Sequence, residues 1–214
     1  MVKVIREDKL GTYTFDKDNS NNWATSSLNT LLNDNYYNGL DESELTNCYG
    51  HTYYGIVSSV CNFTRDGIIH ENSRNMVETV SWKLGGLVTP YATAQECYDA
   101  ERDGPAISGK IDLMYLSDYG YSALAESCNR HWDIGQYNHN ECAGSSWLYG
   151  KGEEWTLTKY KNNSSNVFFI TNYGITTIYD ASLSYGVRPT LYLKSGVKKL
   201  AGNGSFDNPY IITQ

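Results

Sequence analysis

Five cysteines are the residues whose spacing most directly indicates chemistry. Cys48 and Cys61 flank a loop of Tyr, Gly, Ser and His, and Cys128 and Cys142 flank a second polar, aromatic-rich loop. The simplest pairing is two local disulfides, Cys48–Cys61 and Cys128–Cys142, with Cys97 unpaired. Other pairings, or five free thiols, are also compatible with the sequence. Each disulfide would restrict the unfolded chain and contribute about 3 kcal/mol. Cys97 falls on a predicted helix, where we expect a buried, inert thiol.

Metal-ligand spacing is poor throughout the chain. Polar residues alternate from Asp16 to Asn22 as in a calcium loop, but Asn21 stands where that loop needs Gly and Ser27 where it needs Glu. This segment therefore reads as an ordinary Asx-rich turn. No CxxC or HxxxH pair occurs, so a zinc site is not indicated. We expect no metal and no cofactor.

Two acidic pairs, Asp112 with Asp118 and Glu153 with Glu154, could be cast as the carboxylates of a glycoside hydrolase. That reaction needs two acids held a defined distance apart across a cleft, which adjacency in sequence does not establish. We expect these residues to be surface charge. The sequence also lacks a Gly-x-Ser-x-Gly nucleophile motif and a phosphate-binding glycine loop. The prediction is a protein that is not an enzyme, and the alternative is a secreted enzyme with an unrecognised site, for example a glycan-acting hydrolase.

Aromatic residues are weighted to tyrosine, with 19 Tyr against 5 Phe and 5 Trp. Tyrosine combined with Ser, Gly and Asn is typical of recognition surfaces, because its ring buries area at low entropic cost and keeps a hydroxyl. The segment 121–149 has no clear hydrophobic period, and a loop of that length is usually either functional or held by a disulfide. We predict ligand binding in this segment by Trp132, Tyr137, His139, Trp147 and Tyr149. A second predicted binding set is aromatic and consists of Tyr173, Tyr179 and Tyr185. Each of these side chains could instead pack in the core.

The remaining patterns predict one α+β domain over residues 1–214. A helix begins at Ser26 or Ser27 and stops at Gly39, a second covers 72–80, and a third opens with a Thr93–Glu96 capping box. Strands are expected at 11–15 and 111–116, the latter followed by a tight turn at 117–120. The last third reads as an antiparallel meander of strands at 155–160, 167–171, 175–179, 186–193 and 209–212. We expect Arg188 to pair structurally on its strand.

Charge excludes one class of partner. The chain has 17 Lys+Arg against 24 Asp+Glu, a net charge of -7, which repels polyanions, so nucleic acid is not an expected partner. Residues 1–11 contain no apolar run, and no stretch reaches membrane-spanning length. We expect no membrane contact by this segment, with any export or anchor segment lying outside it.

An ordered set of motifs resembles an ectodomain family of Gram-positive gut bacteria. The motifs lie at 23–33, 80–86, 109–121, 147–148, 155–157, 186–195 and 202–210, and cover nearly the whole chain. In that family the domain commonly follows a prepilin-type segment. The resemblance therefore implies an extracellular, type IV pilin-like or other cell-surface subunit that takes part in adhesion or assembly. Its partners would be a host or bacterial surface protein, a glycan, or identical pilin-like subunits.

The Trp-x-x-Ser-Ser-Leu helix at 23–28 and the Gly-Val-Arg-Pro strand at 186–189 are more distantly similar to the C-type-lectin and formylglycine-generating-enzyme superfamily. That likeness implies short helices packed on a twisted antiparallel sheet with long loops. The sugar-binding motifs of the lectins and the paired active-site cysteines of the formylglycine-generating enzymes have no counterpart here. Neither calcium-dependent sugar binding nor that oxidation carries over.

Overall fold

The computed structural model describes residues 1–40, 48–128, 132–137, 141–205 and 207–214. Its strands are β1 Val2–Ile5, β2 Gly11–Thr14, β3 Cys48–Thr52, β4 Gly55–Ser59, β5 Val80–Lys83, β6 Gly86–Leu87, β7 Ala106–Gly109, β8 Ile111–Asp112, β9 Glu154–Tyr160, β10 Asn166–Ile170, β11 Thr176–Asp180, β12 Ser184–Val187, β13 Thr190–Leu193, β14 Lys198–Ala201 and β15 Ile211–Thr213. The helices are α1 Ser27–Thr30, which continues as a π-helical stretch over Leu31–Tyr36, α2 Glu71–Met76, α3 Ala94–Arg102 and α4 Leu116–Tyr121. Short 3₁₀ turns lie at Trp23–Thr25, Ile134–Gln136 and Ala143–Ser145. The class is α+β, with small strands in several sheets and a few short helices.

The largest sheet has the strand order β11-β10-β9-β12-β2, and β6 also pairs with β9. Strands β9, β10 and β11 are consecutive and antiparallel, as the predicted meander requires. The meander ends there, because β12 returns to lie parallel to β9. The single strand predicted at 186–193 is wrong: it is two strands, broken at Arg188 and Pro189, and β13 joins β1 and β8 in a separate sheet. Proline removes a backbone donor, and Arg188 turns into the interior.

Alternating side chains of this large sheet face two different cores. Trp155, Phe169 and Val187 belong to one core, which also contains Phe15 and Trp23. The neighbouring residues Phe168 and Ile170 belong to the other core, with Met114, Leu116 and Cys97. Successive strand residues point to opposite faces, so the sheet separates the two cores and is buried on both sides. Most of the aromatic rings are therefore part of the packing.

Local signals set the helix ends that the sequence predicted. The Ser26 hydroxyl accepts from the Asn29 backbone N–H at 3.1 Å, and Gly39 follows the helix with φ +61°. In α3 the Thr93 hydroxyl accepts from the Glu96 N–H at 3.2 Å, and the Glu96 carboxylate accepts from the Thr93 N–H at 2.8 Å. Both predicted starts are confirmed. The helix predicted at 72–80 is too long, because α2 ends at Met76 and the chain enters β5.

The segment after Ile111 corrects another prediction. Only Ile111–Asp112 forms a strand, and residues 116–121, where a tight turn was predicted, form helix α4. Gly120 suggested the turn, but it allows close packing: a β carbon there would lie 2.7 Å from the Ala94 β carbon of α3. Gly120 therefore allows α4 to pack closely against α3, and it does not form a chain-reversing turn.

Both predicted disulfides are confirmed. Cys48 bonds Cys61 with a Cα–Cα distance of 5.8 Å, and Cys128 bonds Cys142 with a Cα–Cα distance of 4.7 Å. Cys97 is free and fully buried, and burial raises the pKa of its thiol, as expected for an inert cysteine. The first disulfide brackets the hairpin β3–β4, a segment that the sequence suggested only as a loop.

Candidate functional site

Residues 132–137, the described part of the loop between Cys128 and Cys142, pack inward, which changes the predicted binding set. Tyr137 is 0 % exposed, and its ring centroid lies 6.0 Å from that of Tyr119 in the second core. Its assignment to a binding surface is therefore wrong, because the Ile134–Gln136 turn that precedes it is anchored inward by a 2.8 Å hydrogen bond from the Ile134 N–H to the Ala92 carbonyl. Trp132 is half-buried against the same core. His139 lies outside the described residues.

Three predicted rings stay exposed on two neighbouring turns, and we call them the turn patch: Trp147, Tyr149 and Tyr173. They are 50 %, 37 % and 67 % exposed. The Tyr149 ring lies over Gly174, where a β carbon would be 2.7 Å from the ring. Gly174 has φ +75°, and its carbonyl accepts the Tyr119 hydroxyl at 2.9 Å. The turn after Ser146 and the β10–β11 turn are therefore held side by side.

The other predicted rings, Tyr179 and Tyr185, lie elsewhere on the large sheet. Tyr185 stacks on Phe169 with centroids 4.4 Å apart, and Tyr179 meets Phe169 edge-on at 4.9 Å. Tyr185 is half-buried, and burial raises its pKa to about 12. Tyr179 pairs with Val167, far from the turn that carries Tyr173. The structure thus does not bring the second aromatic set to one place, and Tyr185 is mainly a packing residue.

The two most exposed rings of the described residues were not among the predicted binding residues. Tyr53 and Tyr54 are 96 % and 94 % exposed, and their rings meet edge-on at 5.4 Å. They form the tip of the β3–β4 hairpin, followed by Gly55 with φ +108°. The signal that could have found them is Tyr-Tyr-Gly between two cysteines, since glycine there indicates a hairpin turn.

Glu154 and Arg188 form a buried ion pair on the second face of the large sheet. The Arg188 Nε and Nη2 atoms donate to the two carboxylate oxygens of Glu154, and both side chains are 1 % exposed. Burial raises the pKa of Glu154, and Arg188 opposes that rise. The structural pairing predicted for Arg188 is confirmed. The expectation that Glu154 is surface charge is wrong, because the guanidinium allows the carboxylate to be buried.

Two further acids are buried. Asp112, also expected on the surface, is 1 % exposed and accepts from the Leu113 N–H at 3.0 Å, and burial raises its pKa. Glu101 accepts from the Ser117 N–H at 3.1 Å and from the Thr158 hydroxyl at 2.6 Å. Burial raises the pKa of Glu101 to about 7. Glu101 thus connects α3 with α4 and β9.

Four open clefts lie on the surface of the described residues, and the buried acids lie outside them. The largest, 340 Å³, is mainly apolar and includes Val4, Met76 and Leu193 in its lining. The others measure 260 to 280 Å³. None of Glu101, Asp112 and Glu154 lines any of the four. Asp118, from the other half of a predicted acidic pair, forms an ion pair with Lys3.

Across residues 1–40, 48–128, 132–137, 141–205 and 207–214, no three His, Cys, Asp or Glu side chains lie where they could hold a metal ion together. No helix in these ranges has the length and apolarity needed to cross a membrane. Comparisons with family models, curated proteins and solved structures gave no match. Exposed rings on two packed turns and acids buried away from the clefts are thus the features from which a function can be inferred.

Proposed function

We propose that this chain is a non-catalytic binding module displayed at the cell surface, which holds its partner through the turn patch. The partner is a host or bacterial surface protein, a glycan, or a neighbouring subunit of a pilin-like assembly. The observation that carries the proposal is the exposure of Trp147, Tyr149 and Tyr173 on two turns that are fastened together. Aromatic rings that are both exposed and fixed are typical of contact surfaces.

Rigidity makes these rings effective in binding. Tyr149 is held against the Gly174 backbone, and the Tyr119 hydroxyl fixes the same glycine from the core side. A partner that contacts Tyr149 therefore immobilises little that was free at this ring, which lowers the entropic cost of binding there. Tryptophan and tyrosine also offer ring faces to the C–H groups of sugars and to apolar side chains, and their N–H and O–H groups can bind polar atoms.

The buried acids support a module that does not turn over its ligand. Glycoside hydrolysis needs two carboxyl groups across a substrate cleft. Glu154 instead neutralises Arg188, and Glu101 binds Ser117 and Thr158. The remaining candidate function is the secreted hydrolase, and the test below distinguishes it.

Location and fold belong to the same proposal. Two disulfides are typical of proteins outside the reducing cytoplasm, and we extend this to an extracellular position. The C-type-lectin-like fold is supported by the short helices α1 to α4 of the described residues and by a largest sheet that is mainly antiparallel.

An array of glycans and cell-surface proteins tests the proposal. We expect the chain to bind at least one array member and the double variant Trp147→Ala/Tyr173→Ala to lose that signal. Tyr91→Ala is the matched control, because Tyr91 is also highly exposed but lies outside the patch. Equal signals from the double variant and the wild type would contradict the proposal. Mass spectrometry of the bound ligand should show no conversion, and cleavage would favour the hydrolase.

A further inference from the structure

The outer edge of β4 lacks the features that protect exposed strands. β4 pairs with β3 in a two-stranded sheet, and the described residues place no other strand beside it. Edge strands usually carry charges, proline or a bulge, which block pairing with another chain. Residues 48–64 contain no Asp, Glu, Lys or Arg, although 19 % of the chain is charged, and β4 has no proline.

Hydrogen bonds of β3 show which backbone groups reach this edge. The His51 N–H donates to the Ser184 hydroxyl at 2.6 Å, and the Tyr49 carbonyl accepts from the Thr14 hydroxyl at 3.4 Å. Both groups point away from β4, so the residues opposite them, Ile56 and Ser58, form non-hydrogen-bonded pairs with β3. Ile56 and Ser58 therefore direct their N–H and C=O groups to the outer edge. The described part of the chain offers these four groups no partner.

Exposed apolar side chains accompany these free backbone groups. Ile56 and Val57 lie on β4 itself, Tyr54 precedes it and Val60 follows it, and all four are exposed. β-branched and aromatic residues are those that pair well between strands. Both the backbone groups and the side chains at the outer edge of β4 thus favour pairing with another strand.

We propose that β4 pairs antiparallel with β4 of a second copy of this chain, across a two-fold axis at Val57. In this register Ile56 lies opposite the second copy's Ser58, and Ser58 opposite its Ile56. All four outward backbone groups then gain partners. Continuing the register places Tyr54 opposite the second copy's Val60, an aromatic and β-branched pair that stabilises sheets.

Charge argues for self-pairing in particular. A two-fold interface brings the same surface of both copies together, so charges along the strand would meet like charges. The segment 48–64 has none, and the net charge of -7 lies elsewhere on the chain. The contact is far smaller than the roughly 20–30 residues per side of a stable interface, so the dimer forms only at high concentration.

This proposal extends one partner class of the proposed function, the neighbouring subunit. It rests on the proposed function only in taking a second copy of the chain as a partner. Its tests contain no ligand, so their failure is distinguishable from failure of the turn patch. The first test is cysteine cross-linking of Val57→Cys. In the proposed register residue 57 forms a non-hydrogen-bonded pair with its symmetry mate, at a Cα–Cα distance of about 4.5 Å that suits a disulfide.

We expect Val57→Cys to form a covalent dimer under mild oxidation at least tenfold faster than Val88→Cys, as measured by non-reducing electrophoresis. Val88 is the control because it is exposed and lies outside any strand. Cross-linking at equal rates would overturn the proposal.

The second test is sedimentation velocity over a rising protein concentration. The wild type and Val88→Lys should show a growing dimer fraction, and Val57→Lys should stay monomeric, because two lysines would face each other across the axis. A wild type that remains monomeric at the highest concentration, or a Val57→Lys variant that dimerises equally, would overturn the proposal. A thermal melt of each variant checks that its fold is retained.

Discussion

Glu101 gives this protein a measurable pH dependence of stability. The carboxyl is fully buried on α3, and burial raises its pKa from 4.5 to about 7. Asp118 also raises it, whereas the hydrogen bonds from Ser117 and Thr158 lower it. The folded state thus binds this proton more tightly than the unfolded state does. The stabilisation is fully present below pH 4.5 and is lost as the pH rises to about 7.

The size of the effect follows from linkage. A pKa rise from 4.5 to about 7 corresponds to about 3 kcal/mol, at 1.36 kcal/mol per pKa unit. Glu101→Gln mimics the protonated acid: its carbonyl can accept from Ser117 N–H and Thr158, and its amide can donate to the Ser117 hydroxyl. The variant should therefore lose this part of the pH dependence.

Urea unfolding at a series of pH values between 4 and 8 measures the difference. The free energy of unfolding of the wild type should fall by about 3 kcal/mol more than that of Glu101→Gln across this range. Glu153→Gln, which changes an exposed carboxyl, should behave as the wild type does. The reasoning is refuted by parallel curves for wild type and Glu101→Gln, which would mean that Arg102, 3.6 Å from the carboxylate, compensates the buried charge.

Three further changes test the packing. Replacing Cys128 and Cys142 with Ser should lower the free energy of unfolding by about 3 kcal/mol in urea titrations, because the unfolded loop is released; no loss would contradict that role. Arg188→Met should cost about 3–5 kcal/mol, and adding Glu154→Leu should restore much of it, because the first change leaves a buried charge unpaired. Gly174→Ala should lower the melting temperature and weaken ligand binding together, since its β carbon would meet two tyrosine side chains at a φ of +75°; an unchanged melt would refute the close contact.

Local signals predicted the parts of the fold that depend on neighbours in sequence. Ser26 and the Thr93–Glu96 box mark helix starts because each cap needs only residues within one turn. The β10–β11 hairpin follows from Gly174, and the disulfides from cysteines 13 and 14 positions apart. These interactions close short loops, so their residue types and spacing are visible in the sequence.

Contacts between distant segments could not be predicted in this way. Strand β1 pairs with β13, nearly 190 residues away, and short strands of this kind have weak patterns of their own. Glu154 is buried only because Arg188, 34 positions on, reaches it. The same limit applies to the site. Which rings of segment 121–149 stay exposed depends on the core beneath them, so Tyr137 became buried while Trp147 and Tyr149 remained at the surface.

The most direct measurement of the central claim is a calorimetric titration of the strongest array ligand into the wild type, Trp147→Ala and Tyr173→Ala. If the turn patch is the binding surface, each variant should bind at least tenfold more weakly, which is about 1.4 kcal/mol, while both retain the wild-type melting temperature. Affinities unchanged in both variants, or heat from continuing turnover of the ligand, would contradict a non-catalytic module that binds through Trp147, Tyr149 and Tyr173.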